Sequence, residues 1–142
     1  MNYTLQRSPP LEPSALQALF DAAWPEHGDP GWERVLARSL GWVATRSDGR
    51  LIGFVNVATD GAEHAFLLDT VVLPTCRRQG VGRALVHEAA QMARDAGATW
   101  LHVDYAPDAA RFYAACGFRS TAAGLLQLTT DPDRSREATA SD

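Results

Sequence analysis

The chain has 142 residues, an apolar fraction of 46%, a charged fraction of 21% and a formal charge of −4. These values fit one globular domain with a real core and give no reason to expect nucleic acid or an anionic membrane as a partner. All 13 basic residues are arginine, which excludes lysine Schiff bases and lysine nucleophiles. Cys76 and Cys116 stand far apart in a chain with no secretory-type apolar segment near its start. They read as reduced thiols without zinc spacing, and a cytoplasmic location follows by default.

In chain order, residues 3–6 form a short strand candidate cut off by Pro9 and Pro10. Pro13 and Ser14 open a helix with Leu16, Leu19 and Phe20 on one side, and Pro25 ends it. The stretch 25–31 is turn chemistry flanked by Trp24 and Trp32, with His27 inside it. A second helix is expected over 32–39, where Val35 and Leu36 follow Trp32 at helical spacing. A β-meander comes next, with strands at 42–45 and 51–58 and a third that runs through Phe66, Leu68, Asp69, Val71 and Val72 to Leu73 and stops at Pro74.

After the turn Arg77-Arg78-Gln79-Gly80-Val81-Gly82, apolar Leu85, Ala89, Met92, Ala93 and Ala96 recur at helical spacing, with Arg83, Glu88, Gln91 and Arg94 between them. Gly97 closes that helix. Residues 99–105 alternate as a strand that lies parallel to the one ending at Leu73, because a helix of crossover length joins the two. A short helix over 107–116 follows, closed by Gly117. Residues 119–130 read as a closing hairpin about an Ala122-Ala123-Gly124 turn, so one domain spans 1–130 and the polar residues 131–142 form a disordered tail.

The strand–turn–helix unit at 71–96 is built for a phosphate. The first turn of a helix has backbone N–H groups with no intrahelical partner and carries the positive end of the macrodipole. Gly80 and Gly82 let an anion approach that backbone, and Arg77, Arg78 and Arg83 add charge and planar donor forks. No lysine follows the last glycine, as a P-loop needs, and Leu85 stands where a dinucleotide fingerprint needs glycine or alanine.

The turn instead resembles motif A of the GCN5-related N-acetyltransferases (GNAT superfamily), R/Q-x-x-G-x-G/A, with Val72-Leu73-Pro74 supplying the preceding Val-x-Pro. A second motif agrees: Ala109, Phe112-Tyr113 and Gly117-Phe118 resemble the A-x-x-F-Y-x-x-x-G-F signature of the same superfamily. The resemblance covers residues 42–118 by motif and the first helices by element order. It implies an α/β (α+β) GNAT acyl-CoA N-acyltransferase fold. That fold has a mixed, mostly antiparallel sheet of about six to seven strands, helices on both faces and a splayed parallel strand pair. One departure is Ala106, where the family often has an asparagine that contacts the cofactor; Asp108 is expected to cap the helix instead.

The resemblance implies acetyl-CoA as cosubstrate, with no metal, and transfer of its acetyl group to a primary amine of a small molecule or a protein by direct attack in a ternary complex. The diphosphate would sit on Arg77, Arg78, Gln79, Gly80, Val81, Gly82 and Arg83, and the pantetheine arm on the backbone of Val71, Val72 and Leu73, with Phe112 beside it. The Val72 N–H would polarise the acetyl carbonyl, and Tyr113 would be the general acid. Asp69 is the first candidate for the base, as a carboxylate inside an apolar strand. It reads equally as the anchor of a proton-relaying water or as a backbone cap. Strand parity turns Asp69 away from the acceptor, which Phe66 and Leu68 face, unless a bulge intervenes. Glu63, His64, His102 and Asp104 are weaker base candidates. Trp24, His27, Trp32, Phe66, Leu68 and His102 are candidates to touch the acceptor. Homodimerisation is compatible with the resemblance. Two other classes remain open: a GNAT-fold acyl-CoA sensor or partner-binding module without turnover, and an acyltransferase using another acyl group or an alcohol.

Overall fold

The computed structural model describes residues 1–129; the expected tail at 131–142 lies outside the described residues. The element order is β1 (Thr4–Arg7), α1 (Pro13–Ala23), α2 (Trp32–Arg38), β2 (Gly41–Ser47), β3 (Arg50–Thr59), β4 (His64–Val72), α3 (Val81–Asp95), β5 (Trp100–His102) and α4 (Ala110–Ala115). Short 3-10 turns at Pro25–His27, Pro74–Cys76 and Pro107–Ala109 each start on a proline, whose fixed φ suits the first position of a helical turn.

The strands form one sheet in the order β1-β2-β3-β4-β5, antiparallel except for the last pair. β3 lies at its centre and is buried on both faces from Leu51 to Val57, so its run Leu-Ile-Gly-Phe-Val-Asn-Val shows almost no polar alternation. Phe54 meets Phe20 of α1 and Trp32 of α2 at ring-centroid distances of 6.0 and 5.8 Å, which places both helices over one face. On the other face α3 packs against β2, β3 and β4 with Val81, Leu85, Val86, Ala89, Met92 and Ala93 buried. Gly53 allows that close packing: a Cβ there would lie 2.6 Å from Thr45 Cγ2 and 2.9 Å from Leu85 Cδ1. Gly53→Ala is therefore expected to destabilise the protein by about 1–3 kcal/mol through overpacking, read as a lower midpoint in thermal melting. An unchanged midpoint would show that α3 yields without cost.

Both glycine-closed helices end in the same way. In α3 the Ala98 N–H bonds the Ala93 carbonyl (3.0 Å) and the Gly97 N–H bonds that of Arg94 (3.0 Å), with Gly97 at φ +96°. In α4 the Phe118 N–H bonds the Tyr113 carbonyl (3.1 Å) and the Gly117 N–H bonds that of Ala114 (3.0 Å), with Gly117 at φ +99°. This is the Schellman arrangement, and it includes the usual apolar contact between the residue after the glycine and the helix: the Phe118 ring stands edge-on to Tyr113 at 5.7 Å. The spacing of Tyr113, Gly117 and Phe118 thus has a structural reason of its own.

Three expectations are corrected. The sheet has five strands among the described residues rather than six or seven. No strand forms over 119–129, where Leu125, Leu126 and Leu128 are 70%, 83% and 91% exposed. A closing hairpin would have to pair with β5, which is only three residues long, and adjacent Leu125 and Leu126 point apolar groups to both faces of any strand. Asp108 does not cap the last helix: neither the Pro107–Ala109 turn nor α4 has a side-chain cap, and the Ala106 carbonyl accepts the Ala109 N–H at 2.9 Å.

Candidate active site

β4 and β5 pair over three positions only, His64 with Trp100, Ala65 with Leu101 and Phe66 with His102. Beyond Phe66 the continuous ladder ends: Tyr105 makes one isolated bridge while β4 runs on to Val72, so the two strands part toward that end and leave a gap. The backbone of β4 addresses that gap. The Leu73 N–H bonds the Ile52 carbonyl at 2.7 Å, which makes Gly53 and Val72 a non-hydrogen-bonded pair. The Val72 amide therefore points away from β3, toward the side that β5 has left.

The turn from β4 into α3 lies at the end of this gap. Arg78 has φ +63° and Gly80 φ +83°, and α3 starts at Val81 with no side-chain cap. Left-handed residues next to an uncapped helix start aim successive amides toward one side, an anion-binding arrangement. The residues present fit a diphosphate there: a Cβ on Gly80 would meet nothing within 4 Å, and Arg78, Gln79 and Gly80 are exposed. The three arginines have separate roles. Arg77 donates from Nε to the Val72 carbonyl (3.2 Å) and from Nη2 to the Ala23 carbonyl (3.2 Å), tying the turn to β4 and α1. Arg83 donates to the Ala115 carbonyl (3.4 Å), which brings the end of α4 to the start of α3. Arg78 engages no other described residue.

α4 carries Tyr113, which is fully buried between Tyr105 (stacked, 5.0 Å), Phe112 (4.9 Å) and Phe118. Among the described residues its hydroxyl meets no hydrogen-bond partner. A buried O–H without a partner costs free energy, so Tyr113 is held there by its ring.

On the α1–α2 side of the sheet lies Asp69. The register between β3 and β4 shifts here: Asn56 opposes Leu68 while Phe54 opposes Val71, so Asp69 and Thr70 together face Val55. Asp69 has φ +58°. This is a β-bulge, and it keeps the Asp69 side chain on the same face as Leu68. The carboxylate Oδ1 lies 2.8 Å from Nε2 of His27, in the turn between α1 and α2. Chain parity alone turns Asp69 away; the bulge reverses that.

Beside Asp69, Phe66 (37% exposed) and Leu68 (36%) form an open shelf, with the His102 ring stacked on Phe66 at 4.8 Å and 19°. His102 Nε2 lies 2.8 Å from His64 Nδ1. Trp24 is half-buried, whereas Trp32 is 2% exposed and donates its indole N–H to Gln17 Oε1 at 2.8 Å, deep under α1. The pairing of His27 with Asp69 joins residues 42 positions apart. The sequence signal for it was a histidine in a proline- and glycine-bounded turn between two tryptophans, which reads as acceptor contact rather than as a partner for the β4 carboxylate.

Among the described residues no group of three or more His, Cys, Asp or Glu is placed to hold a metal, and no helix is long and apolar enough to cross a membrane. Cys76 is a buried free thiol.

Parting parallel strands, a β4 amide aimed into the gap, and an uncapped helix start at its end define the class: an acyl-CoA-type transferase fold. The particular family follows from comparison with known proteins. The family model for the acetyltransferase (GNAT) family matches residues 9–118, and the chain belongs to that family. It is 31% identical over 133 residues to an aminoglycoside N(6′)-acetyltransferase type 1 of Stenotrophomonas maltophilia, covering 83% of this chain and 87% of the relative. It is 34% identical over 115 residues to a mycothiol acetyltransferase of Mycolicibacterium vanbaalenii, covering 78% of this chain but 37% of that longer protein. The solved structure of an aminoglycoside N-acetyltransferase in complex with CoA superposes with a TM-score of 0.74 at 21% identity, over 91% of this chain and 95% of the other.

Proposed function

We propose that this chain transfers the acetyl group of acetyl-CoA to a primary amine, by direct attack in a ternary complex. The observation that carries the reading is the Val72 amide pointing into the β4–β5 gap directly before an uncapped, glycine-flanked helix start. The likeness to an aminoglycoside N(6′)-acetyltransferase, and in fold to an aminoglycoside N-acetyltransferase solved with CoA, supports it.

In this reading the amides around Gly80 to Gly82 and the Arg78 guanidinium hold the diphosphate. Backbone groups of Val71 to Leu73 hold the pantetheine arm as an added strand would. Val72 N–H donates to the thioester oxygen as negative charge builds on it, with little reorganisation because the strand already fixes it. Asp69 accepts a proton from the incoming ammonium, so that the attacking nitrogen is neutral. Tyr113 donates its phenolic proton, or a hydrogen bond, to the departing thiolate. Phe66, Leu68 and His102 support the body of the acceptor beside Asp69.

A thiol-release assay with acetyl-CoA across a panel of primary amines tests the reading. The expected result is CoA thiol released in proportion to acetylated amine. Calorimetric binding of acetyl-CoA without acceleration by any amine would replace it with a binding module, and faster release with another acyl-CoA or with alcohols would replace the acyl group or acceptor.

A further inference from the structure

We propose that His27 is the positioning residue of the acceptor site: it holds Asp69 so that one carboxylate oxygen is committed to the imidazole and the other is presented to the amine. This deepens the acetylation reading and rests on it.

Asp69 is a non-glycine residue at φ +58° inside a strand. Aspartate is among the few residues that adopt this conformation readily, and the bulge places it there. Its side chain is then held by the 2.8 Å bond between Asp69 Oδ1 and His27 Nε2. The imidazole is itself immobilised. It stacks on Trp32 at 5.4 Å and 10°, and meets Phe20 at 4.6 Å and Trp24 edge-on at 4.8 Å.

The hydrogen bonds assign the ring's protons. His27 Nδ1 lies 3.1 Å from the Gly28 carbonyl, which can only accept, so Nδ1 carries a hydrogen. Nε2 then faces the carboxylate, and two bare lone pairs at 2.8 Å would repel, so one proton lies between Nε2 and Oδ1. One lone pair of Oδ1 is thereby engaged, and the Asp69 side chain has no other hydrogen bond to a described residue. Burial completes the picture: the His27 side chain is 1% exposed and that of Asp69 is 18% exposed. A pair serving only the fold gains nothing from this asymmetry, because apolar residues of the same volume stabilise as well or better. A carboxylate anchored from behind by a buried ring and open toward the Phe66–Leu68 shelf is suited to receive an ammonium.

The test uses the full-length protein. In His27→Gln, which keeps a donor for Asp69 but loses the ring's fixed position, kcat for amine acetylation is expected to fall about 10- to 100-fold, the cost of a misplaced reacting group. The KM for acetyl-CoA is expected to stay the same. Asp69→Asn is expected to lose about 100-fold or more. The double variant should be no slower than Asp69→Asn alone, because His27 acts through Asp69. Losses that multiply in the double variant, or an unaltered kcat in His27→Gln, would overturn the proposal. A second measurement needs neither variant: ¹⁵N NMR of histidine-labelled protein, with His27 assigned by replacing His64, His87 and His102 in turn. Nδ1 of His27 should carry a hydrogen; an unprotonated Nδ1 would refute the geometry. If acetyl-CoA binds and no amine is turned over, the acetylation reading falls and the positioning role falls with it, while the NMR result separately decides the His27–Asp69 arrangement.

Discussion

Tyr113→Phe is expected to make the free protein more stable and the reaction slower. The phenol is fully buried, and its hydroxyl meets no partner among the described residues. Removing a buried, unsatisfied O–H while keeping the ring relieves about 1 kcal/mol or more of desolvation cost, which should raise the melting midpoint by about 3 °C. The ring contacts with Tyr105, Phe112 and Phe118 are unaffected. In the proposed reaction the same hydroxyl stabilises the leaving thiolate, so kcat should fall by about 100-fold. The opposite signs make the experiment decisive. A structural tyrosine predicts unchanged turnover, and a hydroxyl bonded elsewhere in the fold predicts lost stability. Thermal melting of the free protein and steady-state kinetics with one amine read both quantities.

Gly82→Glu is expected to weaken acetyl-CoA binding by at least about 100-fold, about 2.7 kcal/mol. Gly82 is the second residue of α3, where amide hydrogens lack intrahelical acceptors and no side chain caps them. A carboxylate there occupies the donors meant for a diphosphate and repels it. Because Gly82 is buried, Gly82→Ala is the control: it fills space without adding charge, and calorimetry on the two variants separates packing from electrostatics. Equal loss in both would assign the effect to packing. No loss in the glutamate variant would remove the phosphate from this turn.

The readable parts of the sequence were those whose pattern is local. α3 announced itself by apolar spacing from Val81 to Ala93 and by a closing glycine, and the structure ends it at Asp95 with Gly97 left-handed. β3 was legible because burial on both faces leaves a continuous apolar run. The Tyr113-Gly117-Phe118 spacing was legible because a helix end requires it. What stayed hidden was non-local. Strand parity assumes constant register, and the bulge at Asp69 breaks it; aspartate tolerates a left-handed backbone but is common where none occurs. β5 was expected over 99–105; its continuous ladder runs only from Trp100 to His102, with Tyr105 in one isolated bridge. The hairpin over 119–130 was expected from the Ala122-Ala123-Gly124 turn and the apolar residues after it, but a strand needs an edge to join.

The bulge also divides labour along the polypeptide. Everything proposed to handle the coenzyme, from the Val72 amide through the α3 start to Tyr113, comes from one uninterrupted stretch that begins in β4 and ends in α4. The amine's side is proposed to draw on β4 and His102 and also on the distant α1–α2 turn, which meets β4 at Asp69. Changes in the α1–α2 turn would therefore reach the acceptor side first, and they would reach the acyl-donor side only through the Arg77 bond to the Ala23 carbonyl.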